Sequence, residues 1–185
     1  MKAAQIPNAI CVLRIVLVVP LVAALFKGAY GMALGLILIA GISDGVDGFL
    51  AKTFNWRSQL GSLLDPAADK LLLVSTFLSL TLLDLVPVGV TLIVILRDVV
   101  IVTGALWYRH LVGSLRGEPT LISKLNTACQ LLFILATILA AGWGVPAAGW
   151  LLLLGALVVF TSLTSGLSYV LIWSRRLGEQ TARTG

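Results

Sequence analysis

Charge is what this chain of 185 residues has least of. Only 11% of it is charged and 59% is hydrophobic, whereas a soluble domain carries about 25% charged residues. Mean hydropathy is +1.05, and an ordinary soluble domain is excluded. Histidine and cysteine are nearly absent, with one and two residues. Cys11 and Cys129 stand apart in apolar surroundings, fit no metal-binding spacing and read as core thiols. His110 reads as an interfacial side chain with no chemistry of its own. Internal repeats, low-complexity tracts and linkers are not apparent, and the length suits a single domain over residues 1–185. The opening stretch is not expected to be a signal peptide, because Arg14 interrupts its apolar run and no clear cleavage box follows; no Arg-rich, Ser-rich transit segment precedes it either.

What is present is a series of apolar runs of membrane-crossing length. Six spans are expected near residues 7–26, 30–51, 61–83, 86–108, 120–142 and 146–173, each about 20 residues long. Short connections predict an all-α integral membrane protein, a six-transmembrane-helix bundle with sequential neighbours largely antiparallel. Arg175 to Gly185 is the only candidate tail. The formal net charge of +5 has the look of nucleic-acid binding, but its distribution fits the positive-inside rule better. Lys2, Lys52, Arg57, Arg109, Arg116, Arg175, Arg176 and Arg183 all fall on one side of the six-span arrangement. Lys27 stands alone on the other, with Asp84 in the second connection there. Both termini are thereby expected in the cytoplasm. Trp56, Trp107, Tyr108, Trp143 and Trp173 lie near span ends, as interfacial aromatics do.

Against that apolar background the acids are conspicuous. Of eight in the chain, four fall between residues 44 and 69: Asp44, Asp47, Asp65 and Asp69. On helices, Asp44 and Asp47 share one face, as do Asp65 and Asp69. Two helices joined by a short loop can point all four into one space. An acid at membrane depth costs about 2.5 to 3.5 kcal/mol on insertion scales, so four together call for an offsetting charge. Oxygen-only ligands suit a hard divalent cation such as magnesium, calcium or manganese. Gly45, Gly48, Ala51 and Gly61 leave room for close approach. A plainer reading makes Asp65 a helix N-cap before Pro66 and lets the other acids face water; it leaves the spacing unexplained. Four basic residues also lie within the spans: Arg14, Lys70, Arg97 and Lys124. Such residues face the bundle interior or snorkel to an interface. For Arg97 and Lys124 a phosphate pocket is favoured.

Written as Asp-x2-Asp-Gly-x2-Ala-basic-x8-Gly-x3-Asp-x3-Asp, the stretch resembles the signature of the CDP-alcohol phosphatidyltransferases. Seven of its eight fixed positions match, and the eighth, usually Arg, is Lys52. Lysine keeps the charge but lacks the planar fork. The likeness extends from IPNAICVLR to the last span. The wording FNWRSQLGSLLDPAADK, LRDVVI and PTLISKLNTACQ is most similar to the cardiolipin synthase branch. Phosphatidylglycerophosphate synthases instead tend towards Arg-Glu at Arg97-Asp98 and towards a lysine-rich stretch at Ser123 to Thr127.

The resemblance implies transfer of a phosphatidyl group from CDP-diacylglycerol to phosphatidylglycerol, with release of CMP. It implies Asp44, Asp47, Asp65 and Asp69 as ligands of divalent cations, Mg2+ or Mn2+, two in number, with Asp69 also the general base. CDP-diacylglycerol is expected at Asp44, Gly48, Ala51, Lys52 and Gly61, and the acceptor at Arg97, Arg116 and Lys124. A homodimer in a bacterial cytoplasmic (inner) membrane, its site facing the cytoplasm, completes the expectation; nucleic acid has no part in it. The alternatives are a phosphatidylglycerophosphate synthase using glycerol 3-phosphate and, less favoured, an ion-coupled transporter. Against the latter stand the missing inverted repeat and the clustering of acids towards one interface.

Overall fold

In the computed structural model the apolar runs form six α-helices: α1 (Ile6–Phe26), α2 (Tyr30–Thr53), α3 (Gly61–Leu82), α4 (Val88–Val112), α5 (Leu121–Trp143) and α6 (Ala148–Thr184). The structure describes the backbone of residues 6–53, 61–112 and 120–184 and, within these, the side chains of 10–46, 67–104 and 120–171. All six helices start within two residues of the expected spans. The difference lies at the end of α6. Residues from Arg175 onward, expected as a tail, continue the helix to Thr184. That segment is rich in Arg, Leu, Glu, Gln and Ala and contains no proline, so it has the propensity to stay helical after its apolarity runs out.

Local chemistry explains the boundaries. α1 closes with Gly28 at φ 68°, where the Gly28 N–H donates to the Leu25 carbonyl and the Ala29 N–H to that of Ala24. This paired closure satisfies carbonyls the helix would otherwise leave open. α3 closes the same way around Asp84, with bonds from Asp84 N–H to Thr81 and from Leu85 N–H to Leu80. Here a side chain sits in the left-handed region, at φ 56°. The carbonyl of Pro87 accepts the first bond of α4, from Val90 N–H. Thr120 caps α5, its hydroxyl accepting from the Ser123 N–H, which is the ordinary N-cap contact.

By proximity the chain forms two compact units. In the first, Met1–Val86 with Ile134–Ala147, α1 packs on α2 and α3. The inward residues of α1 are Cys11, Arg14, Val18, Leu21 and Leu25, spaced three or four apart along one face. At the ends of α2 and α5, Gly31 lies against the Trp143 ring, and a Cβ at Gly142 would come within 3.0 Å of Tyr30 Cβ. In the second unit, Pro87–Phe133 with Ala148–Gly185, α4 packs on α6. There the Phe133 ring rests against Gly155.

Beside the apolar core, charged groups are buried and large apolar side chains are exposed. Arg14, Arg97, Asp98, Asn126, Gln130 and Ser165 are buried, while Val19, Leu82, Leu121, Leu152, Phe160 and Leu167 are exposed. Water penalises an exposed surface this apolar, whereas lipid does not. Several helix hydroxyls are satisfied within their own helices: Thr76 donates to the Leu72 carbonyl, Ser79 to Ser75, Thr81 to Phe77 and Thr164 to Phe160. Among the described residues, Leu121–Trp143 and Ala148–Leu171 are long and apolar enough to cross a membrane, and Ile10–Phe26 and Tyr30–Val46 are shorter apolar helices.

The Tyr30 contact yields a paired test. Gly142→Leu is expected to destabilise the protein by about 1–3 kcal/mol, the usual cost of overpacking. Gly35→Ala, on a stretch of α2 with open space around the new methyl, should stabilise by about 0.5–1 kcal/mol through the loss of glycine's freedom. Thermal unfolding of detergent-purified variants reads both; equal midpoints for the two would mean that the Gly142–Tyr30 approach carries no constraint.

Candidate functional site

Two clusters of charge are built from the described residues, one in each unit. The first centres on Arg14. Its position on the inward face of α1 takes the side chain out of solvent, to 1% exposure. A single nitrogen, Nη1, donates to Oδ1 of Asp44 on α2 at 2.9 Å and to Oδ1 of Asp69 on α3. Three consecutive helices thus meet at one atom. The two carboxylates are 49% and 44% exposed, so each keeps an open side that a ligand can reach. Counted formally, one guanidinium against two carboxylates leaves the trio at −1.

The structure therefore brings together Asp44 and Asp69, from opposite ends of the signature. Asp47, Gly48, Ala51 and Lys52 lie on α2, and Gly61 and Asp65 on α3, but their side chains fall outside the described residues. Among the described residues no group of three or more His, Cys, Asp or Glu side chains forms a metal site. What bears on a cation is the use made of the two carboxylates that are seen. Oxygens from two helices already converge on one positively charged atom, in a cluster that stays net negative. Those features fit a hard divalent cation, which takes oxygen ligands.

The second cluster centres on Arg97 of α4, which is buried together with Asp98. Nη1 of Arg97 donates to Asp98 Oδ1 at 2.8 Å. Nη2 donates to Ser123 Oγ on α5 and to Ser165 Oγ on α6, both at 2.6 Å. Nε also reaches Ser165 Oγ, at 3.3 Å. These bonds hold the guanidinium plane from two helices and leave it partly neutralised by its own neighbour. Further along α5, Asn126 Oδ1 accepts from Thr161 and Ser162 hydroxyls, each at 2.9 Å. The Asn126 and Gln130 side-chain nitrogens are buried with no hydrogen-bond partner among the described residues. Ser123, Asn126 and Gln130 make one polar stripe at i, i+3 and i+7.

Of the expected acceptor residues, Arg97 is buried in this cluster, Lys124 is exposed on α5, and Arg116 lies outside the described residues. Lys70 is half-buried on α3. Arg14 was expected in the bundle interior or at an interface without a further role, Ser123 and Asn126 served only to mark the branch, and Gln130, Ser162 and Ser165 were not singled out. For the α5 stripe the signal was available, because polar residues at helical spacing in an apolar run mark a face.

Comparison with known proteins adds the following. The model of the CDP-alcohol phosphatidyltransferase family matches residues 4–162. The chain is 35% identical to the Cardiolipin synthase (CMP-forming) of Homo sapiens, over 89% of this chain and 60% of that relative. To the Probable cardiolipin synthase (CMP-forming) of Drosophila melanogaster it is 34% identical, over 90% of this chain and 56% of the relative. A third relative, the chloroplastic CDP-diacylglycerol--glycerol-3-phosphate 3-phosphatidyltransferase 1 of Oryza sativa subsp. japonica, is 30% identical over 76% of this chain and 48% of the relative. The chain thus spans 60% or less of the length of these relatives.

Burial of the Arg97–Asp98 pair makes a prediction about stability. Removing one partner of a buried pair strands the other charge, at a cost of about 3–5 kcal/mol, whereas replacing both with apolar residues is often tolerated. Asp98→Leu alone, which leaves the Arg97 guanidinium facing the Ser123 and Ser165 hydroxyls, should lower the unfolding midpoint sharply, and Arg97→Met with Asp98→Leu should recover much of the loss. A double variant no more stable than the single one would show that Ser123 and Ser165, not Asp98, account for the arginine's placement.

Proposed function

Because the chain belongs to the CDP-alcohol phosphatidyltransferase family, we propose that it transfers the phosphatidyl group of CDP-diacylglycerol to phosphatidylglycerol, forming cardiolipin and releasing CMP. The observation that carries this reading is the convergence of Asp44 and Asp69 from α2 and α3 on one cationic point, within a signature that matches the family at seven positions. We read the two units as parts of one domain over residues 1–185, with six membrane spans, both termini in the cytoplasm and the carboxylates near that interface. A bacterial cytoplasmic membrane and a homodimeric assembly belong to the same reading.

Asp44, Asp47, Asp65 and Asp69 would hold divalent cations, Mg2+ or Mn2+. Bound there, two such ions supply charge against the donor pyrophosphate and the departing phosphate. The remaining steps fall to side chains. Gly48, Ala51 and Gly61 leave space for the nucleotide, and Lys52 meets a donor phosphate. Asp69 takes the proton of the acceptor hydroxyl as its oxygen attacks the phosphatidyl phosphorus. The bond from that phosphorus to the CMP oxygen breaks, and CMP departs with the electron pair. The half-exposure of Asp69 suits this role, since a base must be reachable by the group it deprotonates.

The choice of acceptor rests on the relatives and on Arg97. A dianionic monoester, as in glycerol 3-phosphate, calls for a strongly basic pocket. Arg97 is offset by Asp98 and already directed at two serines. That arrangement suits the single charge of a lipid phosphodiester, with Lys124 and Arg116 as the further candidate contacts.

Two outcomes are expected of the purified protein in detergent. Offered CDP-diacylglycerol with each acceptor separately, it should give cardiolipin from phosphatidylglycerol by mass spectrometry. Robust phosphatidylglycerophosphate from glycerol 3-phosphate without cardiolipin would move it to the other branch. Turnover should also cease in chelator and return with Mg2+ or Mn2+, and full activity in chelator after exhaustive dialysis would refute the divalent-cation reading.

A further inference from the structure

Arg14 stands where the proposed chemistry wants something else. Its Nη1 contacts one oxygen of Asp44 and one of Asp69, the position from which a cation bridges two carboxylates. The remaining length of the side chain is buried in α1's inward face, so the guanidinium is delivered by the fold and does not arrive from solvent. A metal ion bound to hard oxygens sits about 2.0–2.6 Å from each. It cannot share that point with a nitrogen already hydrogen-bonded to the same oxygens, and a unit and a double positive charge so close repel strongly.

Resting on the reading that these carboxylates take divalent cations, we infer that Arg14 is a built-in counter-ion that competes with the metal. In the metal-free protein it holds Asp44 and Asp69 together against their mutual repulsion, so that the site is assembled before loading. Loading then sets the incoming ion against the guanidinium, which it must either displace from Oδ1 or face across the same carboxylates from their open side. Arg14 is on this account a positioning residue whose presence weakens metal binding. A residue that merely shaped the ligand cage would strengthen it. The sign of the effect therefore separates the two roles.

The test uses the full chain in detergent, with Mn2+ as probe. Free Mn2+ is read by electron paramagnetic resonance, and unfolding midpoints are taken in chelator and in saturating Mn2+. Arg14→Gln should bind Mn2+ about tenfold more tightly than the wild type, a factor equal to ~1.4 kcal/mol. In chelator its midpoint should fall below that of the wild type, and Mn2+ should raise it by more than it raises the wild type's. Arg14→Lys, with a shorter stem and no fork, should lie between the two. If Arg14→Gln fails to fold, Arg14→Lys decides alone. Mn2+ affinity at or below the wild-type value, in whichever of these variants folds, overturns the competition. The Asp44→Asn, Asp69→Asn double variant should lose the bound Mn2+. Retention there, or no binding by the wild type at all, would instead remove the metal reading on which the inference stands.

Discussion

A guanidinium inside an apolar bundle has to be neutralised where it stands, and much of the first unit is arranged by that requirement. Arg14 brings no hydration with it at 1% exposure, so its charge must be met by acids from other helices. Asp44 and Asp69 meet it from α2 and α3. This sets the relative rotation of the three helices about their axes, because turning any one by a residue swings its charge about 100° away from the shared point. The apolar contacts of Cys11, Val18, Leu21 and Leu25 add area along α1. They do not specify that rotation, since one aliphatic face packs about as well as another. Having acids in excess over the cation is what turns a structural ion pair into a site with binding capacity left.

The second cluster answers the same requirement differently. Arg97 and Asp98 are adjacent in sequence and both buried, so the pair carries no net charge, and serines of α5 and α6 fix the guanidinium. One cluster is half-open and net negative, the other closed and balanced. Cations suit the first. In the second, the Asn126 and Gln130 amides lie on the same stripe of α5 as Ser123.

Particular residues show what could be read in advance. The helix starts were legible because Pro87, Gly28 and the polar breaks punctuate apolar runs, and the start of each apolar run is the start of its helix. The end of α6 was not: hydropathy reports where lipid stops, and the helix from Arg175 to Thr184 is held by backbone bonds indifferent to that boundary. Asp44 and Asp69 were legible because acids are scarce and their spacing is long and specific. The role of Arg14 was hidden because α1 is apolar on every side, so no periodicity marks which face turns inward. In α5 the charged Lys124 stood out in the sequence, while the contact to Arg97 comes from Ser123, one residue and about 100° away.

The hydroxyls of Thr76, Ser79, Thr81 and Thr164 bond to carbonyls one turn back on their own helices. In this respect α3 and α6 are self-sufficient, because these hydroxyls need no neighbouring helix. Arg14 differs, since both of these carboxylates, Asp44 and Asp69, lie further along the chain. The cation of α1 therefore lacks these two partners until α2 delivers Asp44 and α3 delivers Asp69. Order along the chain thereby becomes order of assembly: α1 is made before α2 and α3, and the full pairing of Arg14 has to wait for α3.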